Sequence, residues 1–200
     1  MKDQIISFCS QESSYRLILL HGWGADANDL IPFGQGLIKE VGFSFDLISF
    51  NAPHPHPDGA GRQWYSLFPP DWSQVPQAIE DLRNRLKSTV TNAIPFQKTF
   101  LLGFSQGGAM ALSAGLGLPL AGLVSCSGYP HPGWEPEASQ PKILLTHGKN
   151  DEIVPLRAIK EISYILDKKK INYQTKLFNG GHEISQEIMT TISFFIRKNI

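Results

Sequence analysis

Ser105 stands in Gly103-Phe104-Ser105-Gln106-Gly107, with the apolar run Thr99 to Leu102 before it and Ala109-Met110-Ala111-Leu112 after it. Strand, sharp turn and helix are the parts of a nucleophile elbow, in which the turn holds the serine outward and the flanking glycines allow close backbone packing. A serine hydroxyl is a weak nucleophile at neutral pH, so it needs a base to take its proton and an acid to orient that base. In a parallel sheet such partners gather in loops at the carboxyl ends of strands. Asp151 has that position after the run Lys142 to Thr146, with Glu152 as its neighbour and nearest rival. Asp167, Glu135 and Glu137 do not follow a strand. The base candidate is His182, reached through Gly180-Gly181 after the run Asn172 to Phe178. His147 also ends a strand, but its place just before the acid suits it to shaping that turn. His131, between Pro130 and Pro132, reads as a surface loop residue.

Attack by such a serine creates an oxyanion, which needs backbone donors. The elbow supplies the Gln106 amide at the start of a helix, and His21-Gly22-Trp23-Gly24, at an earlier strand end, offers the Trp23 amide. His54-Pro55-His56-Pro57-Asp58 resembles a metal cluster only superficially, since its prolines hold it extended and no further ligand lies nearby; a pocket wall is the better reading. The aromatic residues Trp23, Trp64, Tyr65, Phe68, Trp72, Tyr129 and Trp134 are expected around one rim. Of these, Trp64, Tyr65 and Tyr129 are the candidate substrate-binding residues.

These groups need a scaffold. Ile5 to Phe8 reads as a short edge strand, and Tyr15 to Leu20, Phe45 to Phe50, Leu120 to Ser125 and Lys142 to Thr146 are further apolar strand candidates. Between them, Asp26 or Asn28 caps a helix through Leu30, Phe33, Leu37 and Ile38, with Pro32 in its first turn. Pro76 opens an amphipathic helix whose apolar side uses Ile79, Leu82, Leu86 and Val90, and Pro155 starts another through Ile159 and Leu166. A last helix covers Ile184 to Ile196. The alternation predicts an α/β fold: a mostly parallel central sheet with helices on both faces. Residues 51–72, rich in proline, glycine and aromatics, are too long for a simple connector.

With 200 residues and 42% hydrophobic content, one domain spanning 1–200 is expected. Formal charge is zero and basic patches are absent apart from Lys168-Lys169-Lys170, read as a solvated helix end, so nucleic acid is an unexpected partner. No run has the length of a membrane span and Met1 to Gln11 lacks a secretory pattern, which predicts a cytoplasmic protein without stable membrane association. Cys9 and Cys126 are expected as free thiols, Cys126 buried.

The chain resembles the phospholipase/carboxylesterase branch of the α/β hydrolases, which includes bacterial carboxylesterases and acyl-protein thioesterases. The resemblance rests on Leu20-His21-Gly22-Trp23-Gly24, Ala52-Pro53 with Trp64-Tyr65, Gly103-Phe104-Ser105-Gln106-Gly107-Gly108, Ser127-Gly128-Tyr129, His147-Gly148 with Asp151, Val154 and Pro155, and Gly181-His182-Glu183, in that order. It implies a triad of Ser105, Asp151 and His182, an oxyanion hole from the Trp23 and Gln106 amides, an α/β-hydrolase fold, and hydrolysis of a small-molecule ester or thioester through an acyl-enzyme. That chemistry requires no metal and no organic cofactor. Ser66 stands where the family often carries an acid, and the chain is shorter than many relatives. A protein-deacylating thioesterase and a lysophospholipase are the nearest alternatives, and a noncatalytic receptor on the same fold is the rival of another class.

Overall fold

A computed structural model describes residues 5–91, 93–136 and 141–200. Its centre is a seven-stranded sheet in the order β1-β3-β2-β6-β7-β8-β9. The strands are β1 (Ile5–Phe8), β2 (Tyr15–Leu20), β3 (Phe45–Phe50), β6 (Thr99–Phe104), β7 (Gly122–Cys126), β8 (Lys142–Gly148) and β9 (Gln174–Phe178). β1 pairs antiparallel to β3 and every other pairing is parallel. A small ribbon of β4 (His54–Pro55) and β5 (Arg62–Gln63) lies apart from it.

Side-chain alternation decides which helices cover which face. Leu17 and Leu19 of β2 point to one side, where they pack with Leu37 of α1 (Ile31–Val41) and Ile188 and Ile192 of α5 (Gln186–Lys198). Ile18 and Leu20 point to the other, against Leu82 and Leu86 of α2 (Val75–Ser88) and Met110 and Ala114 of α3 (Gln106–Gly115). Under β7 and β8, Leu123, Ile143 and Leu145 meet Leu112 of α3 and Ile159 and Ile162 of α4 (Arg157–Lys168). The result is the α/β-hydrolase fold, with helices on both faces of a mostly parallel sheet.

Several boundaries differ from expectation. α1 starts at Ile31 with Leu30 at its cap position, because the Asp26 carboxylate bonds the Asn28 amide (2.8 Å) in a separate turn instead of capping the helix. Val90 lies beyond α2 and is 38% exposed, so it does not join that helix's apolar side. β8 runs on through His147 and Gly148, and α4 begins at Arg157, two residues after Pro155. Ser185 caps α5 by accepting from the Ile188 amide. Cys126 is buried, which pushes its thiol up to about 12, whereas Cys9 is exposed.

Candidate active site

Ser105 leaves β6 with φ 55° and ψ −119°, a strained conformation for a residue with a side chain. Its amide bonds the Cys126 carbonyl (2.9 Å) at the end of the neighbouring strand, and α3 begins at the next residue. The flanking glycines are fixed by close approach of backbone: a Cβ at Gly103 would strike the Gly107 carbonyl, and one at Gly107 would strike the Leu20 and His21 carbonyls. Gly22 stands directly over the serine, where a Cβ would come within 3.3 Å of the Ser105 Cβ.

Asp151 and His182 meet across 31 residues of sequence: His182 Nδ1 lies 2.8 Å from Asp151 Oδ2. The other carboxylate oxygen accepts the amides of Ile153 (3.0 Å) and Val154 (2.8 Å). Asp151 is therefore both the loop's own capping group and the histidine's partner. Burial opposes its charge, but hydrogen bonds from His182 and the Val154 amide, with the nearby imidazole, outweigh that and hold the carboxyl below its ordinary value. Because the carboxylate accepts, His182 donates through Nδ1 and keeps Nε2 as its basic nitrogen. Its ring packs at 4.7 Å on Phe104, the residue before the serine. Glu152 is exposed and takes no part in this arrangement.

The other histidines have different work. His147 donates through Nε2 to the Val154 carbonyl (2.8 Å) and lies 3.6 Å from Asp151, so it shapes the acid's loop as its position in sequence implied. His131 corrects the sequence reading: it is buried, with Ser113 at Nδ1 and the Tyr65 hydroxyl at Nε2. Of the acids set aside, Glu135 pairs with Lys169 at the surface (3.2 Å), and Glu137 lies outside the described residues.

The Trp23 amide is held in place from two sides. His21, fully buried with its imidazole pushed down to about 4 by desolvation, donates from Nδ1 to the Gly22 carbonyl (2.7 Å) and accepts the Ala52 amide at Nε2 (3.0 Å). The Gly22 carbonyl and the Trp23 amide belong to one planar peptide, so the first bond orients the second group. On the far side, Gly24 donates to the Arg62 carbonyl (2.9 Å) and Arg62 donates to the Ala25 carbonyl (2.8 Å), which zips the 51–72 loop onto this turn. The Trp23 indole bonds Gln63 (3.0 Å) and contacts the rings of His56 (4.0 Å) and Phe68 (5.1 Å). Among the described residues no acceptor is paired with the Trp23 amide. Gln106 is the first residue of α3, where backbone amides have no partner within the helix. Its side chain bridges the Trp64 amide (3.0 Å) and the Tyr65 carbonyl (2.9 Å), tying the same loop to the elbow.

A cleft of about 620 Å³ opens over Ser105 and His182. Trp23, Phe68, Trp72 and Tyr129 line it as expected, but Trp64 and Tyr65 do not: at 1% and 0% exposure they lie in the core. Both are held inward by polar contacts: Trp64 donates to the His21 carbonyl (2.9 Å), and the Tyr65 hydroxyl lies 2.9 Å from His131. Trp134 faces an adjoining groove. The sequence reading missed the opposite wall, Ile153, Pro155, Arg157, Ala158 and Glu161, which the acid loop and α4 supply; the apolar run Ile153-Val154 just after the acid was its only signal. His56 contacts Trp23, and among the described residues no three His, Cys, Asp or Glu side chains gather as a metal site requires.

A serine held at a strained turn, a histidine bonded to a buried carboxylate and an apolar cleft over both are features found in the α/β-hydrolase class. The phospholipase/carboxylesterase profile matches residues 1–200, and the chain belongs to that family of carboxylic ester hydrolases. It is 23% identical to acyl-protein thioesterase 1 of Eremothecium gossypii, over 96% of this chain and 90% of that protein. It is 24% identical to carboxylesterase SOBER1 of Arabidopsis thaliana, over 92% and 90%. Among solved structures, esterase PE8 superposes with a TM-score of 0.84 at 28% identity, covering 98% of this chain and 97% of the other. No described helix is long and apolar enough to cross a membrane.

Proposed function

We propose that this protein hydrolyses carboxylic esters of short to medium acyl chains through an acyl-enzyme on Ser105. The observation that carries the reading is the 2.8 Å bond between Asp151 and His182 Nδ1, which leaves the other imidazole nitrogen as base beside the elbow. His182 takes the Ser105 proton as Oγ forms a bond to the ester carbonyl carbon, and Asp151 stabilises the imidazolium. The Trp23 and Gln106 amides receive the oxyanion. Collapse breaks the bond to the alcohol oxygen, which takes the proton from His182. Water then repeats both steps and releases the acid.

An open apolar cleft supports the chain-length preference: each buried methylene contributes about 0.8 kcal/mol until the chain outgrows the walls. A second reading, hydrolysis of acyl thioesters, is favoured by the relatives named acyl-protein thioesterase, and the same residues serve it. Ser105→Ala tests the proposal. The folded variant should lose about 10⁴-fold or more in ester turnover; more than a tenth of wild-type activity would refute it.

A further inference from the structure

Ser113, His131, Tyr65 and Tyr129 form an unbroken run of hydrogen bonds that the hydrolytic steps do not use. Ser113 Oγ lies 2.8 Å from His131 Nδ1, His131 Nε2 lies 2.9 Å from the Tyr65 hydroxyl, and that hydroxyl lies 2.7 Å from the hydroxyl of Tyr129. The members come from helix α3, the 51–72 loop and the segment after β7. Only Tyr129 reaches the cleft, while Tyr65, His131 and Ser113 are buried behind it. Trp72, another cleft wall, leans on the same pair, with ring centroids 5.9 Å from Tyr65 and 6.5 Å from His131.

The proton count makes the run cooperative. Desolvation pushes His131 down to about 4, so it is neutral, with one N–H and one lone pair. The Tyr65 hydroxyl has one proton for two neighbours. Donation must therefore pass along the run in one direction, and removing a middle member leaves buried polar atoms unpaired on both sides.

We propose that Tyr65 and His131 are positioning residues for acyl selectivity, fixing the Tyr129 and Trp72 walls relative to the elbow helix and so setting the chain length the cleft accepts. Free aromatic rings would turn to follow a longer or bulkier chain. Anchored through Ser113 to the helix that starts at the serine, these two hold their distance from it, and the class admitted is an unbranched acyl group of limited length. The inference rests on the ester-hydrolase reading above.

Its test is kcat and KM for p-nitrophenyl esters from acetate to palmitate with wild type, Tyr65→Phe and His131→Gln, each checked by thermal unfolding. In the variants kcat/KM at the wild type's preferred length should fall about tenfold, chiefly through KM, while longer chains lose less and the preferred length moves by about two carbons. Loss by one common factor at every length, or an unchanged profile, overturns the proposal. Should both core variants fail to fold, Ser113→Ala at the far end of the run is read by the same criteria. A wild type that hydrolyses no ester defeats the hydrolase reading, whereas an optimum that the variants leave in place defeats only this inference.

Discussion

Asp151 spends its two oxygens on different tasks, one on the Ile153 and Val154 amides and one on His182. Asn would keep the first and, by turning its amide to the second position, present a donor to a nitrogen that must itself donate. Asp151→Asn should therefore cut kcat by about 10³- to 10⁴-fold with little change in folding, while Glu152→Gln, at an exposed site, should stay within about twofold. The reverse order would move the acid to Glu152. A second expectation concerns the buried imidazoles. His21 and His131 are both pushed from 6.5 down to about 4 by desolvation, so in that interval the unfolded chain binds protons that the folded chain does not. Unfolding then takes up protons and stability falls as pH drops from about 6.5 toward about 4, at up to about 1.4 kcal/mol per pH unit for each histidine. Urea titrations across that range should show the slope, and His131→Gln should lessen it. A slope the variant leaves unchanged would deny His131 that role.

The elements position the site through loops that lock onto one another. The Gly22–Gly24 turn is zipped to the 51–72 loop at Arg62, and a Cβ at Gly61, which has φ 77°, would strike the Gly24 carbonyl. Gly61→Ala should therefore push the Trp23 amide out of place and lower kcat about tenfold or more with KM less affected. A variant with wild-type kcat would show that this zipper does not align the amide. The strands and the elbow were legible in the sequence because buried parallel strands are nearly continuous apolar runs, and because Gly103 and Gly107 mark backbone contacts that allow no side chain. The positions of Asp151 and His182 were legible from strand ends, Asp151 after the buried apolar run of β8 and His182 through a glycine turn after the shorter, more polar β9, although their pairing across 31 residues appears only in the fold. The inward turn of Trp64 and Tyr65 was not, since an irregular loop has no periodicity to say which side faces the core. His131 was misread because flanking prolines suggested a surface loop, while its burial depends on Tyr65 and Ser113, distant in sequence.

Over the whole molecule, the six parallel strands end at one edge of the sheet, and the cleft there has walls from the 51–72 loop, the segment after β7 and the start of α4. The cleft measures about 620 Å³ and is open to solvent. Across a p-nitrophenyl ester series, kcat/KM should climb over the first few carbons and then level; a steady rise to palmitate would point to a lipid-sized tunnel instead. The central claim is that Ser105 becomes covalently acylated with His182 as its base. Incubation with a fluorophosphonate probe followed by peptide mass spectrometry tests it most directly. One probe adduct per chain, on Ser105, with a labelling rate that collapses in His182→Ala, is the predicted result. No adduct, or an adduct on another residue that Ser105→Ala leaves intact, would contradict it.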